Sequence, residues 1–103
     1  MPSFIIDFDA DQSILNVKFG DPAANSQIVQ DAAKRLDEIK TSGGLQGGPL
    51  LRIYGPASLP CAFTIGHAVS HAYDAVAVWD PKVQKYVVSV AHGPTYNIGD
   101  EVD

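Results

Sequence analysis

The stretch Ala75-Val76-Ala77-Val78-Trp79-Asp80-Pro81-Lys82, with His67-Ala68-Val69-Ser70-His71 shortly before it, decides how this chain folds. Five apolar residues in an unbroken run are what a strand covered on both faces looks like. Upstream, Leu50 to Tyr54 is a second β-rich run. Pro60, suited to the first position of a helix, opens a helical segment reaching to about Tyr73. Strand, helix and strand in that order imply a right-handed crossover with the two strands parallel. The four residues from Pro81 to Gln84 are too few for another crossover, so Lys85 to Ala91 is expected to return antiparallel.

Working outward, Ser3 to Phe8 and Ser13 to Phe19 flank a polar turn and read as a hairpin. Ala24 to Lys40 reads as an amphipathic helix. Its apolar stripe is Ile28, Val29, Ala32, Ala33, Leu36 and Ile39, and Asp31/Arg35 and Lys34/Glu38 are i,i+4 pairs on its wet side. Thr41 to Pro49 is rich in glycine and is expected to be a flexible connector. It lacks the Lys-Ser/Thr ending of a phosphate-binding loop and precedes a strand, where that motif would precede a helix. Tyr96 to Asp103 is expected to supply a last short strand. The fold class expected is α/β, a single domain over residues 1–103: a small mixed sheet, two helices, one right-handed βαβ crossover and an antiparallel strand after it.

Composition narrows the function. The formal net charge is −5, and much of the acid sits near the ends, at Asp7, Asp9, Asp11, Asp100, Glu101 and Asp103. That argues against a long basic groove for duplex nucleic acid, where affinity comes mostly from Lys and Arg on phosphates. A small anionic ligand held by backbone amides stays open. No apolar run approaches the ~18 residues of a membrane span, and Met1-Pro2-Ser3 lacks the basic start of a signal peptide. Cys61 is the single cysteine; it falls on an apolar helix face and reads as a buried structural thiol. A reducing cytoplasm is the expected compartment.

Two groups of residues carry chemistry. On the second helix Thr64, His67 and His71 share one face, and His92, directly after the fifth strand, is the only other histidine. His67, His71 and His92 are therefore the candidate metal ligands, though the same spacing also suits a solvated helix face. The second group lies where open α/β sheets bind ligands, at the carboxyl ends of the parallel strands. It comprises Asp80, Lys82 and the loop Gly55, Pro56, Ala57, Ser58 and Leu59, whose amides at a helix N-terminus suit phosphate. Asp80 before proline equally suits a plain turn. Five or six strand residues at ~3.3 Å each put the two groups roughly 15–20 Å apart in one subunit. To act together, they must meet between subunits.

The motifs Ile53-Tyr-Gly-Pro, Gly66-His67-Ala-Val-Ser-His71, Ala75-Val-Ala-Val-Trp-Asp80-Pro-Lys82, Val87-Val-Ser-Val-Ala-His92 and Ile98-Gly-Asp100 resemble the CRISPR-associated Csx-three family. The resemblance covers residues 53 to 100. It implies a dimeric α/β protein distantly similar to CARF sensor domains, themselves Rossmann-like. It also implies ring-nuclease activity, manganese-dependent cleavage of the type III CRISPR second messenger cyclic tetra-adenylate. The family has further been linked to removing adenylates from RNA 3′ ends, and some members are fused to an ATPase domain. Functional positions carry over to His71, Asp80, Lys82 and His92, and less directly to His67. Where this chain has Lys82 the family often has Arg; Lys keeps the charge without the bidentate fork. The resulting expectation is ring cleavage by His71, Asp80 and His92, with Mn²⁺ as the ion. The partners expected are a second copy and, on ligand binding, head-to-tail stacked dimers. The alternatives are a cyclic oligoadenylate sensor that does not cut, and an RNA-deadenylating exonuclease.

Overall fold

Alternating apolar and polar residues give the N-terminal hairpin one dry face. In the computed structural model, which describes residues 1–103, β1 (Phe4–Asp9) and β2 (Ile14–Phe19) pair antiparallel. Phe4, Ile6, Leu15 and Val17 are buried on one side. The Asp9 carboxylate closes the turn by accepting the Asp11 and Gln12 N–H groups at 3.0 and 3.2 Å, the local bonding that makes Asp a turn former.

α1 (Asn25–Thr41) buries Ile28, Ala32, Leu36 and Ile39, a stripe at helical spacing laid across the sheet. Its charged residues bond outward to the hairpin more than along the helix. Arg35 donates to the Ile6 carbonyl at 2.9 Å and lies 3.6 Å from Asp7 and 3.5 Å from Glu38. Asp31 accepts from the Ser3 hydroxyl at 2.6 Å and the Ser3 N–H at 2.9 Å. These bonds, the hydroxyl's first, hold the Asp31 carboxyl below its ordinary pKa. A lowered folded pKa stabilises the fold above the ordinary carboxylate range, and the benefit is lost as pH falls through the lowered value. Asp31→Asn is therefore expected to lower the urea midpoint at pH 7 and to differ less from the native chain at about pH 3. A gap that stays constant between the two pH values would assign Asp31 no role in acid stability.

From α1 the chain enters β3 (Leu51–Tyr54), which lies parallel to β2, and then α2 (Leu59–Val69) leads to β4 (Ala75–Asp80), parallel to β3. There are thus two strand–helix–strand units, where the sequence reading had one. β5 (Lys85–Ala91) returns antiparallel with a bulge opposite Val76 and Ala77, and β6 is only Glu101–Val102. The six strands lie in the order β1-β2-β3-β4-β5-β6. Both helices cover one face and share a core in which Leu36, Cys61, Ile65 and Val69 meet Leu15, Leu51 and Ile53. The opposite face holds a smaller cluster of Leu50, Ala75, Ala77, Tyr86 and Val88, covered by Trp79, Tyr96 and Val102. The start of β4 is therefore buried on both sides as its apolar run requires, whereas its end is not. No helix is long and apolar enough to cross a membrane.

Two elements depart from the sequence reading. α2 stops at Val69, not near Tyr73, because the Tyr73 ring is drawn into the core and its backbone bridges to Gly48. The glycine connector is not flexible filler. Leu45 is buried within it, a Cβ on Gly47 would lie 2.5 Å from the Ala72 carbonyl oxygen, and Asp74 N–H donates to Gly48 O at 3.0 Å. Its glycines let it press against the turn leaving α2.

Cys61 has no exposed surface, and burial pushes its thiol up to about 11. It is expected to resist a thiol reagent in the native protein and to react fully in denaturant. Labelling that waits for global unfolding is slowed by at least ~10³-fold. Fast native labelling, followed by mass spectrometry, would contradict this burial.

Candidate functional site

The end of α2 and the end of β5 meet at the amino end of β4. Lys40 of α1 donates to the Ala68 carbonyl, placing a cation at the C-terminus of α2, where the helix dipole favours one. Past Val69 the chain turns, and His71 projects into solvent. His92 N–H donates to Asp74 O at 2.7 Å, which fixes His92 directly across from His71. The two imidazoles stack with centroids 5.1 Å apart and planes within 21°. His92 Nε2 lies 2.6 Å from the Ser70 carbonyl oxygen. A carbonyl only accepts, so Nε2 carries the proton and Nδ1 is left as the nitrogen free to exchange one. His71 and His92 together form an exposed pair of imidazoles.

His67 is not part of this pair. Because α2 ends before His71, the helical stripe joining His67 to His71 is broken. His67 instead lines a hollow between the helices with Asp37, Lys40 and Thr64. No three His, Cys, Asp or Glu side chains converge in one place. One subunit brings together two of the three histidines expected to share a metal.

At the other end, Gly55 follows β3 at φ +129°, and a Cβ there would lie 1.9 Å from the Val17 carbonyl oxygen. Glycine is what allows the chain to leave β3 so close to β2. Pro56 and Ala57 carry it to Ser58, the N-cap of α2, whose hydroxyl accepts the Cys61 N–H at 3.3 Å. Leu59 opens the helix and is almost fully exposed. Asp80 ends β4, where its carboxylate accepts the Lys82 N–H at 2.9 Å and its carbonyl accepts the Gln84 N–H at 2.8 Å. Asp80 thus shapes the turn, and Lys82 is exposed beside it. Since Ala75 pairs with Ala91 and Asp80 with Lys85, the histidine pair and the Asp80 group stand at opposite ends of one strand.

Between the Gly55 loop and the Asp80 turn lies an open hollow of about 510 Å³, within the range of small-molecule sites. Its walls include Tyr54 and Trp79, two aromatic residues that the sequence reading passed over as strand ends. The signal was present but needed the register. Ile53 pairs with Val78, so the next residues on the two strands, Tyr54 and Trp79, fall side by side. Their rings are 5.1 Å apart, with Tyr86 in contact beneath. The sheet has no reversal of strand order, and therefore no crevice between diverging helices of the kind doubly wound sheets use. The hollow opens at the carboxyl ends of β3 and β4, the two central strands.

No protein-family model, curated protein or solved structure matches the chain.

Proposed function

We propose that the chain is a ring nuclease cleaving cyclic tetra-adenylate, with the His71–His92 pair of one copy acting on a ligand held at the Asp80 edge of another. The observation that carries the reading is the exposed pair of stacked imidazoles, separated by the full length of β4 from the edge that suits an anionic ligand. Imidazole changes charge between pH 5 and 8, so two side by side can serve as base and acid in one turnover. One takes the proton of a ribose 2′-hydroxyl as that oxygen attacks the adjacent phosphorus. The other gives a proton to the 5′ oxygen as the P–O5′ bond breaks. His92 would work through Nδ1. At the opposite edge Lys82 and the Gly55 to Leu59 amides would hold phosphates, and Asp80 would meet ribose hydroxyls. In the alternative use of the same pair, His71 and His92 would hold manganese, the ion the family resemblance implies, which would neutralise phosphate charge in place of their proton transfers. Two copies provide both faces, in keeping with a dimer that stacks head to tail and with a distant CARF-like origin.

A second reading, a binding module that does not cut, is favoured by one observation: the Asp80 carboxylate and His92 Nε2 are already engaged by backbone groups. Incubation with labelled cyclic tetra-adenylate, with and without Mn²⁺, decides between the two. Short linear adenylates support the nuclease, and retained, intact ligand supports the sensor. Shortening of poly(A)-tailed RNA with the ring untouched would replace both with an exonuclease.

A further inference from the structure

We infer that the outer side of β1 accepts an extended, basic peptide as an added strand, and that Arg35 is the latch this peptide displaces. β1 is the outermost strand of the sheet and pairs only with β2. Ser3 O faces β2, where it accepts the Gly20 N–H at 2.9 Å, whereas Ile6 O faces away and accepts from Arg35. Backbone groups alternate between the two sides of a strand, so Phe4, Ile6 and Phe8 turn both N–H and C=O outward. Of these groups only Ile6 O has a partner, and that partner is a side chain. A row of outward N–H and C=O groups is a template for another strand.

The space alongside suits a single strand. A groove of about 280 Å³ lies between Phe4, Ile5 and Ile6 of β1 and Asp31, Lys34 and Arg35 of α1. An open strand on one side and a helix on the other is a setting in which extended peptides bind by main-chain pairing. Arg35 crosses the groove, reaching Ile6 O at 2.9 Å and lying 3.6 Å from Asp7. A peptide N–H takes its place on Ile6 O and leaves the guanidinium with Glu38, 3.5 Å away. Charge selects the occupant. Asp7 is exposed on the strand, Asp9 and Asp11 follow at the turn, and Asp31 and Glu38 stand on the helix wall, against Lys34 and Arg35 alone. A second copy would set the same carboxylates face to face, on chains of net charge −5. Like charges opposed across a strand pair are destabilising, and Lys or Arg at alternate positions of a peptide meets opposite charge instead. β2 and β3 separate this groove from β4, so it stands whether or not the chain cuts a cyclic ligand.

The probe is a fluorescein-labelled peptide of about ten residues alternating valine and lysine, titrated by anisotropy. Beside it run its valine–glutamate counterpart and a form with every backbone amide N-methylated. The lysine peptide is expected to bind saturably and to slow hydrogen exchange at the Phe4, Ile6 and Phe8 amides. The glutamate peptide should bind more weakly. The methylated peptide keeps its charge but cannot donate, and should not bind. Arg35→Ala vacates Ile6 O and should tighten the lysine peptide about 3- to 10-fold, the worth of one hydrogen bond. The inference is overturned if the methylated peptide binds as well as the plain one, since charge alone would then be at work. It is equally overturned if exchange at the three amides is unchanged, or if Arg35→Ala binds no tighter than the native chain. An Arg35→Ala chain that associates with itself in place of taking up the peptide overturns the choice of occupant.

Discussion

Asp80→Asn protein and His71→Ala protein, each inactive on cyclic tetra-adenylate by itself, are expected to regain cleavage when mixed. On the proposed mechanism His71→Ala removes one of the two rings that transfer protons, a loss of roughly 10²–10⁴ in rate. Asp80→Asn leaves the turn intact, since an amide oxygen can still accept the Lys82 N–H, but removes the carboxylate from the ligand edge. The two positions stand at opposite ends of β4. The proposed head-to-tail contact would set the histidine face of one copy against the Asp80 end of the next. Of the four combinations in an equal mixture, one joins two intact faces, so about a quarter of native activity should return. Specific activity of the native protein should also rise with concentration. A mixture that stays inactive, together with activity per subunit that is flat with dilution, would mean that the two ends do not cooperate across an interface.

Gly55→Ala is expected to cost roughly 3–5 kcal/mol of folding stability, a large share of what a domain of this size has. The added Cβ would fall 1.9 Å from the Val17 carbonyl oxygen, a backbone atom in the neighbouring strand, and φ +129° is strained for any side chain. Relief requires β2 and β3 to separate, and with them the loop at the ligand edge. Gly66 gives the opposite result. It lies inside α2, where an added Cβ would meet nothing within 4 Å, so Gly66→Ala should stabilise by about 0.5–1 kcal/mol. Denaturant unfolding of both variants checks the pair; equal midpoints would refute the close approach at Gly55.

Much of the fold was legible because periodicity and burial agree. The hairpin, α1, the apolar β4 and the antiparallel β5 are all written in local pattern, and their bounds fall within a residue or two of those expected. Illegible were the features set by tertiary contact. The length of α1 permits a crossover between β2 and β3, but only the shared core of α1 and α2 selects it. The end of α2 is fixed by the burial of Tyr73, a residue that a helical pattern would have kept. The last short strand expected within Tyr96 to Asp103 is Glu101–Val102, and what the pattern did not give is that Tyr96 packs on the second face of the sheet. For the site, the nearness of His71 to His92 and the distance of both from Asp80 follow from strand order alone. His67 was grouped with them through a helix that ends too early. Tyr54 and Trp79 were missed because their adjacency depends on parallel register, which no local pattern states.

The strands lie side by side in the order of their translation, so none has to be threaded between two already placed. Each new strand meets an edge completed just before it. The sheet can therefore grow in one direction from the hairpin as the chain emerges. The hazard of such growth is a bare edge at every stage. It is greatest at β4, whose apolar run is followed by a four-residue turn and at once by its covering strand. The outer strand on that side, β6, is two residues long, flanked by Asp100 and Asp103 and carrying Glu101. Asp103 itself is held by Lys85 and Arg52. An edge so short and so acidic offers the next chain little to pair with, which protects a newly made sheet from joining another.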